Sequence, residues 1–91
     1  MEIKVRILNR LGLHARPAAL IAQAAGRFDA DISLTPDGGQ TADAKSILSL
    51  LMLGAPCGTE LTLAVRGGDE ALESDAVRVI SGLFASKFDE D

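Results

Sequence analysis

Three segments alternate apolar and polar residues, and this pattern narrows the fold more than any other feature of the chain. Ile3, Val5 and Ile7 share one face of residues 2–8, with Glu2, Lys4 and Arg6 on the other. Asp31 to Thr35 turns Ile32 and Leu34 to one side, and Glu60 to Arg66 does the same with Leu61, Leu63 and Val65. A period of two marks a strand with one face buried and one face in water. Strands covered on both faces, as in parallel sheets, read as unbroken apolar runs instead. The pattern therefore predicts an antiparallel sheet covered on one side only. A weaker return strand is expected at Gln40 to Asp43, after the turn Pro36-Asp37-Gly38-Gly39.

Helices supply the cover. From Pro17 to Arg27, Leu20, Ile21, Ala24 and Phe28 recur at helical spacing. Lys45 to Leu53 predicts a second helix, apolar on more than one side and stopped by Gly54. A third helix follows the N-cap Asp69 and runs to about Ser86, with Leu72, Ala76, Val79, Ile80, Leu83 and Phe84 as its stripe. The order is β-α-β-β-α-β-α, an α+β fold with a four-stranded antiparallel sheet and three helices on one face. One domain spanning 1–91 is expected, with Asp89-Glu90-Asp91 a frayed, solvated acidic tail.

A core is affordable, since 47% of the residues are hydrophobic, but without Trp or Tyr and with three Phe it must rest on Leu, Ile, Val and Ala. A chain this short has little left for a deep cleft, so its chemistry belongs on the surface, on a group presented by another protein. The net charge of −4 disfavours a nucleic-acid binder, whose electrostatic footprint is a basic patch. A single cysteine, Cys57, cannot form an internal disulfide. One histidine and one cysteine cannot close a metal site, so no metal and no cofactor are expected. No stretch has the apolar run of a signal peptide or a membrane span, which points to a cytoplasmic protein without membrane insertion.

The only histidine, His14, lies in Leu11 to Leu20, L-G-L-H-A-R-P-A-A-L. Proline is favoured just inside a helix start, so Pro17 puts His14 at or one residue outside the N-terminus of the first helix. Unpaired N–H groups and the peptide dipoles make such an end attractive to anions, phosphate among them. Arg16 adds a guanidinium fork suited to phosphoryl oxygens. The positive field there favours the neutral ring, a nucleophile near pH 7. These parts suit an imidazole that accepts a phosphoryl group and holds it briefly. A histidine and an arginine at a helix start are also ordinary solvated residues, and residue chemistry by itself leaves both readings open.

The stretch G-L-H-A-R-P-A resembles the active-site motif of the HPr family, the histidine phosphocarriers of the bacterial phosphoenolpyruvate-dependent phosphotransferase system. Ala44 to Gly54, A-K-S-I-L-S-L-L-M-L-G, resembles that family's second helix, in the family's order and at nearly its spacing. The resemblance implies an open-faced β-sandwich. It implies that His14 takes a phosphoryl group from phosphorylated enzyme I and passes it to an enzyme IIA histidine, with Arg16 as charge partner. The protein would then be a carrier and not an enzyme, and a monomer. Ala19, Ile47, Leu48 and Leu51 are the implied partner-docking residues. Ser46 matches the position that an HPr kinase/phosphorylase modifies in some bacteria, and it reads equally well as a helix cap. Ala15 stands where many relatives have threonine. The spacing from His14 to Ser46, the L-L-M-L run, the F-D-E-D ending, and Gln23 and Gly26 in place of lysines resemble the NPr-like, nitrogen-branch type. A second reading is a regulatory interaction module whose binding depends on the phosphorylation state of His14 or Ser46.

Overall fold

The structure, a computed structural model, describes residues 1–90. Strands β1 (Glu2–Arg6), β2 (Asp31–Pro36), β3 (Ala42–Asp43) and β4 (Glu60–Arg66) form one sheet in the order β1-β4-β2-β3, with every neighbouring pair antiparallel. The register follows from the alternation. Leu63 of β4 lies between Ile3 and Leu34, and Val65 faces Ile32. Val5, Ile32, Leu34, Leu61, Leu63 and Val65 are buried, while Lys4, Arg6 and Glu60 are left in water. A slip of one residue would exchange these faces, so burial itself fixes the pairing.

Helices α1 (Ala15–Ala25), α2 (Ile47–Leu51) and α3 (Glu70–Ala85) cover the apolar face. Ile21, Leu50, Ile80 and Phe84 bring the helices' share of the core against the sheet. Asp69 caps α3 by accepting the Leu72 N–H at 2.8 Å. The expected element order and the α+β architecture are both present.

The helix bounds differ from the sequence expectation for local reasons. At α2, the Lys45 N–H donates to Asp43 Oδ1 at 2.9 Å, and the Asp43 N–H donates to Ser49 Oγ at 2.9 Å. These side-chain bonds compete with helix, so α2 begins only after Ser46 and not at Lys45. Its far end tightens into three-residue turns, Leu53 N–H to Leu50 O and Gly54 N–H to Leu51 O, and Gly54 then stops it at φ +58°. The end of α1 tightens in the same way, through Arg27 N–H to Ala24 O and Phe28 N–H to Ala25 O. The return strand keeps only Ala42 and Asp43 of the expected four residues.

The acidic ending departs furthest from expectation, and the frayed tail must be corrected for Asp89 and Glu90. Lys87–Asp89 form a 3-10 turn of left-handed residues, with φ of 57°, 55° and 57°. Left-handed backbone costs roughly 1–2 kcal/mol per non-glycine residue, so something must hold it. Phe88 does. Its ring is fully buried and meets Phe84 edge-on at 5.0 Å between centroids. Asp91 lies outside the described residues.

Replacing Phe88 by Ala should therefore lower stability by about 3–5 kcal/mol, the usual cost of emptying a core phenylalanine site. Urea unfolding measures it, and a loss under 1 kcal/mol would mean that the turn does not hold the ring in the core.

Candidate functional site

The backbone on either side of the histidine is pinned before any side chain acts. β1 leads out through Ile7, whose N–H donates to Thr59 O at 2.9 Å and whose carbonyl accepts the Gly58 N–H at 2.7 Å. At Gly12, with φ +74°, a Cβ would lie 2.7 Å from the Ala55 carbonyl oxygen, so only glycine lets these two segments meet. The Leu13 N–H then donates to Ala55 O at 3.0 Å, and the Leu13 side chain is buried. His14 is the N-cap of α1, with φ −90° and ψ −168°, and its carbonyl accepts the Ala18 N–H at 3.0 Å. Pro17 has no N–H, and among the described residues the amides of Ala15 and Arg16 bond to no acceptor. The helix mouth that the sequence places beside His14 is present and open.

The imidazole is neither in the core nor free. Its side chain is 37% exposed, and Nε2 lies 2.8 Å from Oε1 of Glu90. Asn9, fully buried beneath, donates from Nδ2 to the same Glu90 oxygen at 2.8 Å and to Gly12 O at 2.7 Å. Arg16 keeps Nη1 at 3.7 Å from the other Glu90 oxygen, a looser pairing on a largely exposed side chain. The bond from His14 holds the Glu90 carboxyl below the usual carboxylate range. The Asn9 bond and the charges of His14 and Arg16 add to this, and desolvation opposes it. Glu90 is thus an ionised acceptor near neutral pH, and the ring's Nε2 carries the donated proton. Among the described residues Nδ1 makes no hydrogen bond.

The structure gathers Asn9 and Glu90 beside the expected His14 and Arg16, and sequence reasoning did not anticipate either of these two neighbours. Asn9 reads as an exit from β1, and Glu90 as part of a solvated tail. The one available signal was Phe88, a large apolar residue inside an otherwise polar ending. Ser46 is the N-cap of α2, its Oγ accepting the Ser49 N–H at 3.1 Å, as the capping reading requires. Of the apolar residues on α2, Leu50 is buried, whereas Ile47, Leu48 and Leu51 are 45%, 68% and 38% exposed. Met52 and Leu11 add two further exposed apolar side chains that the expected patch did not include. Ala19 is half-buried on α1. The Leu13–Ala55 bond ties the segment that follows α2 to the residue preceding His14. Among the described residues, no three His, Cys, Asp or Glu side chains gather as metal ligands, and no helix is long and apolar enough to cross a membrane.

Comparison with known proteins gives concordant matches. The family model described as the PTS HPr component phosphorylation site matches residues 1–86. The phosphocarrier protein HPr of Treponema pallidum (strain Nichols) is 51% identical over 87 residues, 96% of this chain and 94% of that protein. The phosphocarrier protein NPr of Escherichia coli (strain K12) is 39% identical over 87 residues, covering 96% of this chain and 93% of its own. The crystal structure of HPr-C-His from Thermoanaerobacter tengcongensis superposes with a TM-score of 0.89 at 37% identity, covering 100% of this chain and 98% of that one.

The lowered Glu90 value carries a sign. A carboxyl held below its ordinary value of 4.5 contributes stability above that value and loses it as pH falls through the lowered one. A carbon-13 NMR titration of Glu90 should therefore show a midpoint below the ordinary range. His14→Ala should move it back up, and an unmoved midpoint would contradict the His14 bond as its leading cause.

Proposed function

The chain belongs to the HPr family, the phosphocarriers of the phosphotransferase system, and on that premise we propose that His14 is the residue that carries the phosphoryl group. The observation that supports this most directly is a half-exposed imidazole at the N-cap of α1, beside open amides and a guanidinium, inside the matched segment. The lone pair of Nδ1 forms a bond to phosphorus as the bond to the donor's nitrogen breaks, and no base is needed to free it. The arriving dianion meets the amides of Ala15 and Arg16 and the Arg16 guanidinium, whose hold on Glu90 is loose enough to exchange. Such a step asks for position and charge, and one helix end supplies both.

The donor in this reading is phosphorylated enzyme I and the acceptor an enzyme IIA histidine, so the protein is turned over by its partners as one cytoplasmic, monomeric domain of 91 residues. Ile47, Leu48 and Leu51, with Ala19, form the docking face. Three exposed apolar side chains on one short helix are poor surface and good interface. Regulation at Ser46 is a second reading, favoured by its position beside that face. A phosphoserine there would add about two negative charges next to Ile47 and Leu48. A kinase that modifies this serine in other bacteria should then label Ser46 and slow loading of His14, and an unlabelled Ser46 would end that reading.

Incubation with enzyme I and phosphoenolpyruvate should place one acid-labile phosphate on the chain, and addition of a sugar-branch or nitrogen-branch enzyme IIA should remove it. His14→Ala should abolish the label while the fold is retained. Leu48→Asp should weaken docking about tenfold, the effect of losing one interface anchor. Full labelling of the His14→Ala variant would overturn the proposal.

A further inference from the structure

We propose that Met52 is a redox modification site: oxidation of its thioether to the sulfoxide puts a polar group on the docking face of α2 and slows loading of His14 by its protein donor. This rests on the reading that Ile47, Leu48 and Leu51 dock the partners, and it assigns a role to a side chain which that reading does not use.

Helix geometry places the sulfur. Successive helical residues turn by about 100°, so Ile47, Leu51, Leu48 and Met52 fall in that order across an arc of about 140°. All four are exposed. Leu50 points the other way, into the core, and Ser49 lies between, half-buried. Met52 is the C-cap of α2, with φ −68° and ψ −15°, and its N–H donates to Leu48 O at 3.0 Å, which keeps it on the helical path. Its side chain extends the apolar row one place beyond Leu48. At 77% exposure it stands further into water than any other large apolar side chain among the described residues.

An apolar side chain in water adds nothing to the core, and the thioether suggests what it does instead. Three rotatable bonds and a polarisable sulfur let methionine adapt to partners of different shape, and such residues gather at surfaces that bind several proteins. A carrier loaded by one protein and emptied by another needs that kind of surface. The same exposure opens the sulfur lone pairs to oxidants. The chain's other sulfurs are in Met1 and Cys57. Met1 is tied to Val65 by two 2.8 Å bonds, at the end of β1 opposite to the exit toward His14. The exposed Cys57 thiol donates to the Leu8 carbonyl at 3.7 Å, on the loop before β4. Of the three, Met52 alone lies in the apolar row of α2.

The oxidant is a peroxide. The sulfur lone pair forms a bond to one peroxide oxygen as the O–O bond breaks. The departing hydroxide takes the proton left on that oxygen and becomes water, so sulfur gives up two electrons and the peroxide accepts them. An apolar contact is thereby replaced by a polar, chiral S=O group. Against an apolar partner surface the sulfoxide must shed its water with no hydrogen bond in return. His14 is untouched, so the block acts on docking and not on the imidazole. Methionine sulfoxide reductases, one for each epimer, reverse it.

The test uses the Cys57→Ser chain, treated with hydrogen peroxide until mass spectrometry shows one added oxygen on residue 52. Loading by enzyme I and phosphoenolpyruvate should slow about fivefold against the untreated chain, the effect of weakening one interface contact. Loading by phosphoramidate, a small donor that needs no docking face, should be unchanged, and treatment with both reductases should restore the enzyme I rate. In Met52→Leu on the same background, the ratio of treated to untreated rates should be one. Enzyme I loading of the sulfoxide at the untreated rate would overturn the proposal. Equal slowing with phosphoramidate, or slowing that persists in Met52→Leu, would do the same. Leu48→Asp separates the two readings. If it slows enzyme I loading and the sulfoxide does not, only the Met52 proposal falls; if neither slows it, the docking reading falls as well.

Discussion

The approach of Gly12 to the Ala55 carbonyl governs the rest of this molecule. It brings the loop after β1 against the segment after α2, lets Leu13 bond Ala55 and bury its side chain, and so delivers His14 to the first position of α1. A side chain at residue 12 would push the two segments apart, and the helix would begin elsewhere. The orientation of the imidazole is thus a property of backbone packing. Side-chain contacts refine it afterwards.

Ninety-one residues with one core can build a surface site but not a cleft, and the site reflects this. Its parts are a helix end, one ring, one guanidinium and a carboxylate, spread over the rim of the helix layer. Such a site leaves the ring within reach of another protein's surface. The fold also keeps the apolar residues of α2 out of its own core except at Leu50.

Much of this was legible from the chain. Strict alternation in β1, β2 and β4 gave the one-sided sheet, because burial of one face leaves no second register. The stripe of α3 and its Asp69 cap were equally plain. The short α2 was not, because Asp43, Ser46 and Ser49 exchange side-chain bonds with nearby backbone, and the apolar run of that segment conceals them. His14 and Arg16 could be found because they are local neighbours of Pro17 and Gly12. Glu90 could not, since it meets the histidine across 76 residues and Asn9 across 81. The turn that aims it uses Lys87, Phe88 and Asp89 in a left-handed conformation that their side chains do not advertise. A polar ending looks solvated until a buried phenylalanine is seen to anchor it.

A helix-end imidazole whose Nε2 is already occupied can carry a phosphoryl group in only one way. Proton-coupled nitrogen-15 and phosphorus-31 NMR of the loaded protein, which identifies the ring nitrogen bonded to phosphorus, tests that directly. A single phosphoryl group on Nδ1 of His14 is the expected result. Phosphate on Nε2, on another residue or on none would contradict it.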